Sequence, residues 1–242
     1  MSILEIHEAT RIFGGLTAVN KVSFAMEAGE ILGLLGPNGS GKTTLLNLLS
    51  GALAPSAGRI VIGRRDMTGR KPNIIARQGV ARTFQLVRIL PSLTLEENVI
   101  VSAVFGRNRH DKEAARRIAR AALRDAGLEG METCSAGDLT YLDQKRLELA
   151  RALAAEPDIL LMDEWLAGLN PTELHEAVAL VRALSGRGMT IIMVEHIMEA
   201  VRALCPRSIV MNAGTLIADG PTANVLNDRH VVAAYLGEAD DA

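Results

Sequence analysis

Eight consecutive residues have the types and spacing that bind a phosphate chain. The pattern GxxxxGK[ST] is matched by Gly36-Pro37-Asn38-Gly39-Ser40-Gly41-Lys42-Thr43. Glycines let backbone N–H groups turn inward around phosphates without Cβ clashes, and a helix that follows adds unpaired N–H groups and its positive dipole end. In this pattern Lys42 neutralises the β- and γ-phosphates, and the Thr43 hydroxyl binds Mg²⁺. The pattern predicts a nucleotide site rather than a plain glycine-rich turn.

Two apolar segments later in the chain end in side chains that can act on phosphates. The first, Ile159–Met162, is followed by Asp163 and Glu164. Since parallel strands present ligands at their carboxyl ends, Asp163 is predicted to hold Mg²⁺ through water, and Glu164 to polarise the attacking water as a general base. The second, Thr190–Val194, is followed by Glu195 and His196. A lone histidine is more often structural, but a position at the same sheet edge favours contact of His196 with the γ-phosphate.

The hydrophobic pattern predicts the elements that position these residues. Alternating apolar residues before Ile31 suggest short antiparallel strands. The continuous apolar run before the phosphate loop predicts a strand buried on both faces. The last third alternates strand and helix, which implies a parallel sheet covered on both faces. The predicted strands are Ile31–Leu35, Gly58–Ile62, Ile159–Met162, Thr190–Val194 and Ile209–Met211, and the predicted helices are Lys42–Ser50, Pro171–Ser185 and Ile197–Leu204.

One of these helices carries complete start and stop signals. Asn170 can cap it, Pro171 fits its first position, Glu173 completes a capping box and Gly186 follows its end. From about Leu86 to Ala155 the pattern is almost wholly helical. We therefore expect a helical lobe inserted into an α/β core.

Composition and charge exclude several classes of protein. A chain of 242 residues that is 48% hydrophobic is too apolar to be disordered. A net charge of −2 and seven aromatic residues argue against a nucleic-acid binder. The basic face formed by Arg116, Arg120 and Arg124 is accordingly interpreted as a solvated helix surface rather than a nucleic-acid or lipid site.

The chain carries no signal for a membrane span or a secretory leader. The first ten residues lack a basic region before an apolar stretch. Apolar windows such as Val99–Phe105 fall far short of the ~18–20 residues that span a bilayer. We expect a soluble chain that meets a membrane only through partners. Cys134 and Cys205 have no metal or disulfide spacing and are expected to be reduced thiols.

The motifs and their order resemble the ATP-binding cassette of ABC transporters, over about residues 3–236. Further motifs carry the resemblance: Arg82-Thr83-Phe84-Gln85, Leu139-Thr140-Tyr141-Leu142-Asp143 at the signature position, and Ala167-Gly168-Leu169-Asn170 at the interface loop. At a finer level the chain is similar to ATPase subunits of branched-chain or hydrophobic amino-acid importers, whose relatives carry amides or urea. The segments that carry this finer resemblance include Phe13–Val19, Leu93–Val99 and Ala234–Gly237.

The resemblance implies an α/β fold, namely a P-loop ABC ATPase cassette with a RecA-like core, an N-terminal antiparallel β region and an inserted helical lobe. It implies a single domain over residues 1–242. The expected parts are a core at about 1–85 and 156–220, a helical lobe at about 86–155 and a C-terminal tail at about 221–242. The implied activity is hydrolysis of ATP, with Mg²⁺, to drive transport.

The resemblance also implies roles for individual residues. Phe13 resembles the aromatic that stacks on adenine, and Gln85 the glutamine that reaches Mg²⁺ and the attacking water. His196 resembles the switch histidine that acts with Glu164, and Thr140 offers its hydroxyl to the partner's ATP. The expected nucleotide-binding residues are Phe13, Gly36, Asn38, Gly39, Ser40, Gly41, Lys42, Thr43 and Thr44, and the expected metal-site residues are Thr43, Gln85 and Asp163.

Partners follow from the resemblance as well. Two ATPase subunits, identical or paralogous, would clamp two ATP molecules head to tail and drive integral-membrane permease subunits, fed by a periplasmic solute-binding protein. The expected location is peripheral, on the cytoplasmic face of the bacterial inner membrane, and no nucleic-acid partner is expected. The apolar segment Leu86–Leu93 indicates either core or a partner groove. The resemblance implies that this region receives a coupling helix of the permease, so that Ile89→Asp would abolish association and leave ATP binding intact. Two alternatives stay open, a lipid-export ATPase and a soluble nucleotide switch without transport.

The signature segment departs from the family pattern, usually written LSGGQ. Tyr141 and Leu142 replace its glycines, and Asp143 replaces its glutamine. A branched side chain and a negative charge near a phosphate suggest a weakened composite site, and the alternative is a tolerated subfamily variant. Trp165 follows the predicted catalytic Glu, where the family commonly has Pro, and either covers the interface or fills the core. Asn170 replaces the usual Asp of the interface loop.

Overall fold

The computed structural model describes residues 2–236, which form two sheets flanked by helices. The strands are β1 (Ser2–Phe13), β2 (Leu16–Glu27), β3 (Ile31–Leu35), β4 (Ala57–Ile62), β5 (Arg65–Asp66), β6 (Val80–Arg82), β7 (Ile159–Asp163), β8 (Thr190–Val194), β9 (Arg207–Asn212) and β10 (Thr215–Pro221). The helices are α1 (Lys42–Leu49), α2 (Pro72–Arg77), α3 (Leu95–Phe105), α4 (Lys112–Asp125), α5 (Tyr141–Ala154), α6 (Pro171–Gly186), α7 (Met198–Leu204), α8 (Thr222–Val225) and α9 (Arg229–Leu236), with a 3₁₀ turn at Ala136–Asp138.

The N-terminal strands form an antiparallel sheet in the order β2-β1-β4-β5. Alternating apolar side chains such as Val22, Phe24 and Met26 face the interior, as the period-2 pattern predicts. The prediction of antiparallel strands is confirmed, but the prediction that they are short is wrong. β1 and β2 have 12 residues each, because Gly14 and Gly15 turn the chain back only after Phe13.

The second sheet has the order β10-β9-β3-β8-β7-β6 within the described residues. Its strands run parallel except for β10, an antiparallel edge strand. All residues of β3, β7 and β8 are buried, which confirms the prediction of strands covered on both faces. The register sets Asp163 beside Val194 and Val194 beside Leu34, so three strands end at the same edge. Sequence reasoning missed β6 and β10.

Helices α3, α4 and α5 pack around an interior of their own, which includes Leu95, Leu123 and Leu147. The prediction that residues 86–155 are almost wholly helical is wrong in part. Residues 83–94 are loop, and residues 126–140 hold only the 3₁₀ turn. The loop at 83–94 is held by buried Asn98, whose side chain bonds the backbone of Leu90.

On the basic face of α4, Arg120 pairs with Glu96 at 2.7 Å, and both Arg116 and Arg120 are exposed.

The predicted start of α6 is confirmed. Asn170 accepts from the N–H of Glu173, and the Glu173 side chain bonds the N–H of Asn170. Gly186 is the last helical residue, and the glycine with a left-handed backbone is Gly188.

Within residues 2–236, no helix is both long and apolar enough to span a bilayer. Gly237 and the acidic segment 238–242 lie outside the described residues.

Candidate nucleotide site

The phosphate loop lies between β3 and α1, as the motif predicts. Gly36, Gly39 and Gly41 have φ values of 142°, 73° and 105°, in the region that favours glycine. A Cβ on Gly36 would lie 2.1 Å from the carbonyl oxygen of Met211. A Cβ on Gly41 would lie 2.4 Å from that of Ala18. No side chain caps the start of α1, so its first N–H groups remain directed at the loop.

Lys42 lies inside this loop with its side chain almost fully buried. Its ammonium donates to the carbonyl oxygens of Gly36 at 2.6 Å and Pro37 at 2.7 Å. The loop backbone therefore fixes the ammonium at the place where the chain can offer a positive charge to phosphates.

The loop encloses a cavity of about 180 Å³ that also reaches the second motif. Glu164 lines this cavity although it comes from the end of β7. The structure thus brings the predicted phosphate-binding residues and the predicted general base together. The lining residues are Ala18, Asn38, Gly39, Ser40, Gly41, Lys42, Thr43, Thr44 and Glu164.

Both carboxylate oxygens of Glu164 are held by residues from neighbouring strand ends. Gln85 follows β6 and donates its amide N–H to Oε2 at 2.6 Å. His196 follows β8, and its Nε2 lies 2.8 Å from Oε1. Glu164 has φ of 50°, a left-handed backbone unusual for a side-chain-bearing residue and typical of functional sites. This conformation turns Glu164 out of the line of β7, and its own N–H donates to the carbonyl of Val194.

Asp163 is buried and is paired with an arginine whose role sequence reasoning missed. Arg82 Nη2 lies 2.7 Å from Asp163 Oδ2, and Nη1 bonds Asn47 of α1 at 2.7 Å. Arg82 therefore ties the end of β7 to the helix that follows the phosphate loop. Its signal in the sequence is its place at the end of β6, three residues before Gln85, which becomes visible only once β6 is identified.

A second missed residue is Glu195, a buried carboxyl directly behind the site. Its Oε1 accepts the N–H of Leu166 at 2.7 Å, which fixes the segment that follows Glu164. Burial raises the pKa of Glu195 to about 7, and the nearby charge of Glu164 acts in the same direction.

The structure decides between the two roles considered for Trp165. Its side chain is fully buried in the core beside the second sheet, and its indole N–H donates to the carbonyl of Lys145 in α5 at 3.2 Å. Trp165 therefore fills the core and ties the segment after Glu164 to the signature helix. The indole does not cover an exposed interface.

The signature segment lies on the helical lobe and contributes nothing to the lining of the phosphate-loop cavity. Thr140 is the N-cap of α5, and its hydroxyl donates to Asp143 Oδ2 at 2.8 Å while accepting the Asp143 N–H. Asp143 also pairs with Arg146 at 3.2 Å. Leu142 is buried, with 6% of its surface exposed, so its side chain points into the chain's own interior. Tyr141 is half exposed.

Tyr141 contacts the predicted interface loop. A Cβ on Gly168 would lie 3.2 Å from its ring, so the two are in close contact, and its hydroxyl lies 3.5 Å from the carbonyl of Ala167. On the other side, the buried ammonium of Lys145 lies 4.9 Å from the ring centroid.

Four aromatic residues lie within or beside the motifs of the nucleotide site in sequence. None of Phe13, Phe84, Tyr141 and Trp165 lines the phosphate-loop cavity. Phe13 is 41% exposed at the end of β1, with the Arg11 guanidinium 4.6 Å from its ring centroid. Such an exposed ring retains surface on which a base can stack.

A larger cavity, of about 490 Å³, lies beside the loop at 83–94, between the lobe and the core. Glu148 and Arg151 of α5 line this cavity and hold the backbone of Arg88. Glu148 accepts the N–H of Arg88, and Arg151 donates to its carbonyl oxygen. Burial raises the pKa of Glu148. Leu86 is 81% exposed in this loop, whereas Ile89 packs against the interior of the lobe.

The chain matches two family models. Residues 19–167 match the family model described as ABC transporter, and residues 215–241 match one described as branched-chain amino acid ATP-binding cassette transporter. The chain is 37% identical to the high-affinity branched-chain amino acid transport ATP-binding protein BraF of Pseudomonas aeruginosa, over 98% of both chains.

Two solved structures of cassettes share the fold. The ADP conformation of MJ1267, an ATP-binding cassette of an ABC transporter, has a TM-score of 0.90 at 30% identity, covering 98% of this chain and 99% of that one. The dimeric structure of MJ0796, a bacterial ABC transporter cassette, has a TM-score of 0.80 at 25% identity, covering 90% of this chain and 98% of that one.

Proposed function

The chain belongs to the ABC transporter family of ATP-binding cassettes, and from this premise we propose that it is the ATP-hydrolysing subunit of a membrane importer. The proposed cargo is a branched-chain amino acid or a related small solute such as an amide or urea. The C-terminal match to the branched-chain family and the name of BraF support this importer over a lipid exporter or a soluble switch. The observation that carries hydrolysis is Glu164, which lines the phosphate-loop cavity between Gln85 and His196.

The proposed reaction begins at the Glu164 carboxylate, whose two oxygens are held by hydrogen bonds. Glu164 accepts a proton from the water that attacks the γ-phosphate, while Gln85 and His196 keep its two oxygens in place. His196 then contacts the γ-phosphate with the ring that also orients Glu164. Lys42 and the N–H groups at the start of α1 balance the charge of the β- and γ-phosphates.

The oxygen donors at this edge fit Mg²⁺, which prefers hydroxyl, carboxylate and carbonyl oxygens. The residues that would hold it are Thr43, Asp163 and Gln85. Because Arg82 occupies Oδ2 of Asp163, we assign Oδ1 to the cation or its water shell. Gln85 uses its amide nitrogen on Glu164, so its carbonyl oxygen is the atom assigned to the metal side. Bound Mg²⁺ would neutralise charge that develops on the phosphates.

Two copies, or this chain and a paralogue, would complete the nucleotide sites. Thr140 would then leave Asp143 and offer its hydroxyl to the partner's γ-phosphate, at the N-terminus of α5. Phe13 would stack on adenine. The dimeric cassette of MJ0796 supports such pairing. We further propose the division into a core at about 1–85 and 156–220, a helical lobe at 86–155 and a C-terminal part from 221.

The permease would dock at the cavity of about 490 Å³ beside the loop at 83–94. Leu86, 81% exposed, and Leu90, 39% exposed, are apolar side chains that this loop offers. Docking there would hold the subunit at the cytoplasmic face of the inner membrane and connect it, through the permease, to a periplasmic solute-binding protein. No nucleic acid takes part.

Hydrolysis is tested with Glu164→Gln. This change removes the base but keeps a polar side chain of similar size, so turnover should fall by roughly 10²–10⁴-fold while ATP still binds. ATPase assays of the purified complex and binding of a fluorescent ATP analogue give the two readouts. Undiminished turnover would remove Glu164 from the proposed role.

Docking is tested by copurification of the permease subunits. Leu86→Asp places a charge on the exposed side chain and should abolish copurification, with ATP binding unchanged. Ile89 is half-buried against the interior of the lobe, so Ile89→Asp would disturb packing as well as docking, and Leu86→Asp separates the two effects better. Retained copurification of the Leu86→Asp variant would contradict docking at this loop.

A further inference from the structure

The segment from β9 to α9 surrounds the phosphate loop from outside the cavity. The N–H of Gly214, in the turn after β9, donates to the carbonyl of Ser40 at 3.0 Å. The carbonyl oxygen of Met211, near the end of β9, leaves no room for a Cβ on Gly36. Tyr235 of α9 accepts the N–H of Gly36 on its hydroxyl oxygen at 2.7 Å. The loop is thus contacted at Gly36 and at Ser40 by residues more than 170 positions later in sequence.

The contact of Tyr235 is made where the strand stops supporting the backbone. Leu35 is the last residue of β3 that pairs with β9, and Gly36 then turns at φ 142°. The N–H of Gly36 therefore donates to the side-chain hydroxyl of Tyr235 instead of to a carbonyl of a neighbouring strand. The Tyr235 ring packs against the core cluster that contains Leu35 and Val231, so its hydroxyl has a fixed position.

Gly36 joins this tyrosine to the phosphate-binding lysine. The N–H of Gly36 bonds Tyr235, and its carbonyl accepts the ammonium of Lys42 at 2.6 Å. Removing the hydroxyl of Tyr235 would release the N–H of the residue whose carbonyl oxygen orients Lys42. We propose that Tyr235 is a positioning residue through which the C-terminal helix sets the affinity of the phosphate loop for ATP. This rests on the proposed function only in that ATP occupies the loop.

The experiment compares the full-length chain with its Tyr235→Phe variant, which loses the hydroxyl and keeps the ring. The dissociation constant for a fluorescent ATP analogue and the KM for ATP should rise about 3- to 10-fold, the size expected for one hydrogen bond. The kcat at saturating ATP should stay within twofold. Val232→Ala, at an exposed position on the same helix, is the matched control and should match the wild type.

Exchange of the Gly36 amide hydrogen gives a readout that a packing role would not move. In the wild type without nucleotide this amide should be protected, and in Tyr235→Phe it should exchange at least tenfold faster. Unchanged affinity together with unchanged exchange would overturn the inference. If Tyr235→Phe does not fold, an unprotected Gly36 amide in the wild type overturns it equally, and a protected one supports it. Wild-type protein that binds no ATP analogue would instead contradict the proposed function.

Discussion

The phosphate loop and the signature segment, residues 139–143, each begin a helix, but they differ in the room that they leave for side chains. In the loop, Gly36 and Gly41 have left-handed backbones and lie against carbonyl oxygens, so a Cβ has no space. In the signature segment, Leu142 is already helical and buries its side chain, and the charge of Asp143 is offset by Arg146.

The difference shows that glycine is required where its backbone lies against the backbone of another segment. Glycine is not required at every position where a motif usually has one. The steric part of the argument for a weakened signature loses its basis, because Leu142 points inward. The electrostatic part is smaller than the sequence suggested, since Asp143 caps α5 and pairs with Arg146. On the basis of these contacts we propose a tolerated variant rather than a weakened site.

The largest effect is expected for Gly36→Ala, which tests the loop side of the comparison. Its Cβ would lie 2.1 Å from the Met211 carbonyl oxygen at a φ that alanine rarely adopts. We expect a loss of roughly 3–5 kcal/mol in the free energy of unfolding, measured by denaturant titration. Gly39→Ala is the control, since nothing lies within 4 Å of its Cβ, and only backbone strain of about 1–2 kcal/mol is expected. Equal losses in both variants would contradict the close-packing argument.

A smaller effect is expected for Leu142→Gly, which tests the signature side. The change restores the family glycine but removes a buried side chain, so the free energy of unfolding should fall by about 2–4 kcal/mol. ATP turnover of the assembled transporter should not increase. Leu142→Met, which keeps the volume, should behave like the wild type. A gain in turnover for Leu142→Gly would restore the hypothesis of a weakened composite site.

The smallest effect is expected for Glu195, which holds the segment that follows Glu164. Its pKa is raised to about 7, so the folded chain keeps a proton that the unfolded chain has released above its ordinary value of 4.5. The contribution of Glu195 to the free energy of unfolding is therefore fully present below pH 4.5, and it is lost as the pH rises to about 7. Glu195→Gln keeps an acceptor for Leu166 without charge, and should gain about 1–3 kcal/mol relative to the wild type between pH 5 and pH 8.

Thermal unfolding at several pH values gives the measurement for Glu195→Gln. Glu199→Gln, at an exposed position, is the control and should show no change with pH relative to the wild type. A constant difference between Glu195→Gln and the wild type across this range would show that Glu195 is not kept neutral by burial.

Much of the fold and site could be predicted from the sequence because the signals are local. The buried strands β3, β7 and β8 are continuous apolar runs, and the phosphate loop and the cap at Asn170 depend on neighbouring residues. The two-residue β5, the three-residue β6 and the edge strand β10 were missed, since short or half-exposed strands have weak patterns. Residues 86–94 fall within the stretch from about Leu86 to Ala155 that was predicted as almost wholly helical, but they form a loop.

The sequence by itself determined the chemistry available to this protein: a phosphate loop, a general base after an apolar strand, and a histidine after the next. Only the tertiary structure decided how these residues are held. Arg82 on Asp163, Glu195 on Leu166, Trp165 on Lys145 and Tyr235 on Gly36 are all contacts between residues at least 20 positions apart. No local pattern encodes such contacts, because the partners meet only after the strands have aligned and the helices have packed on them.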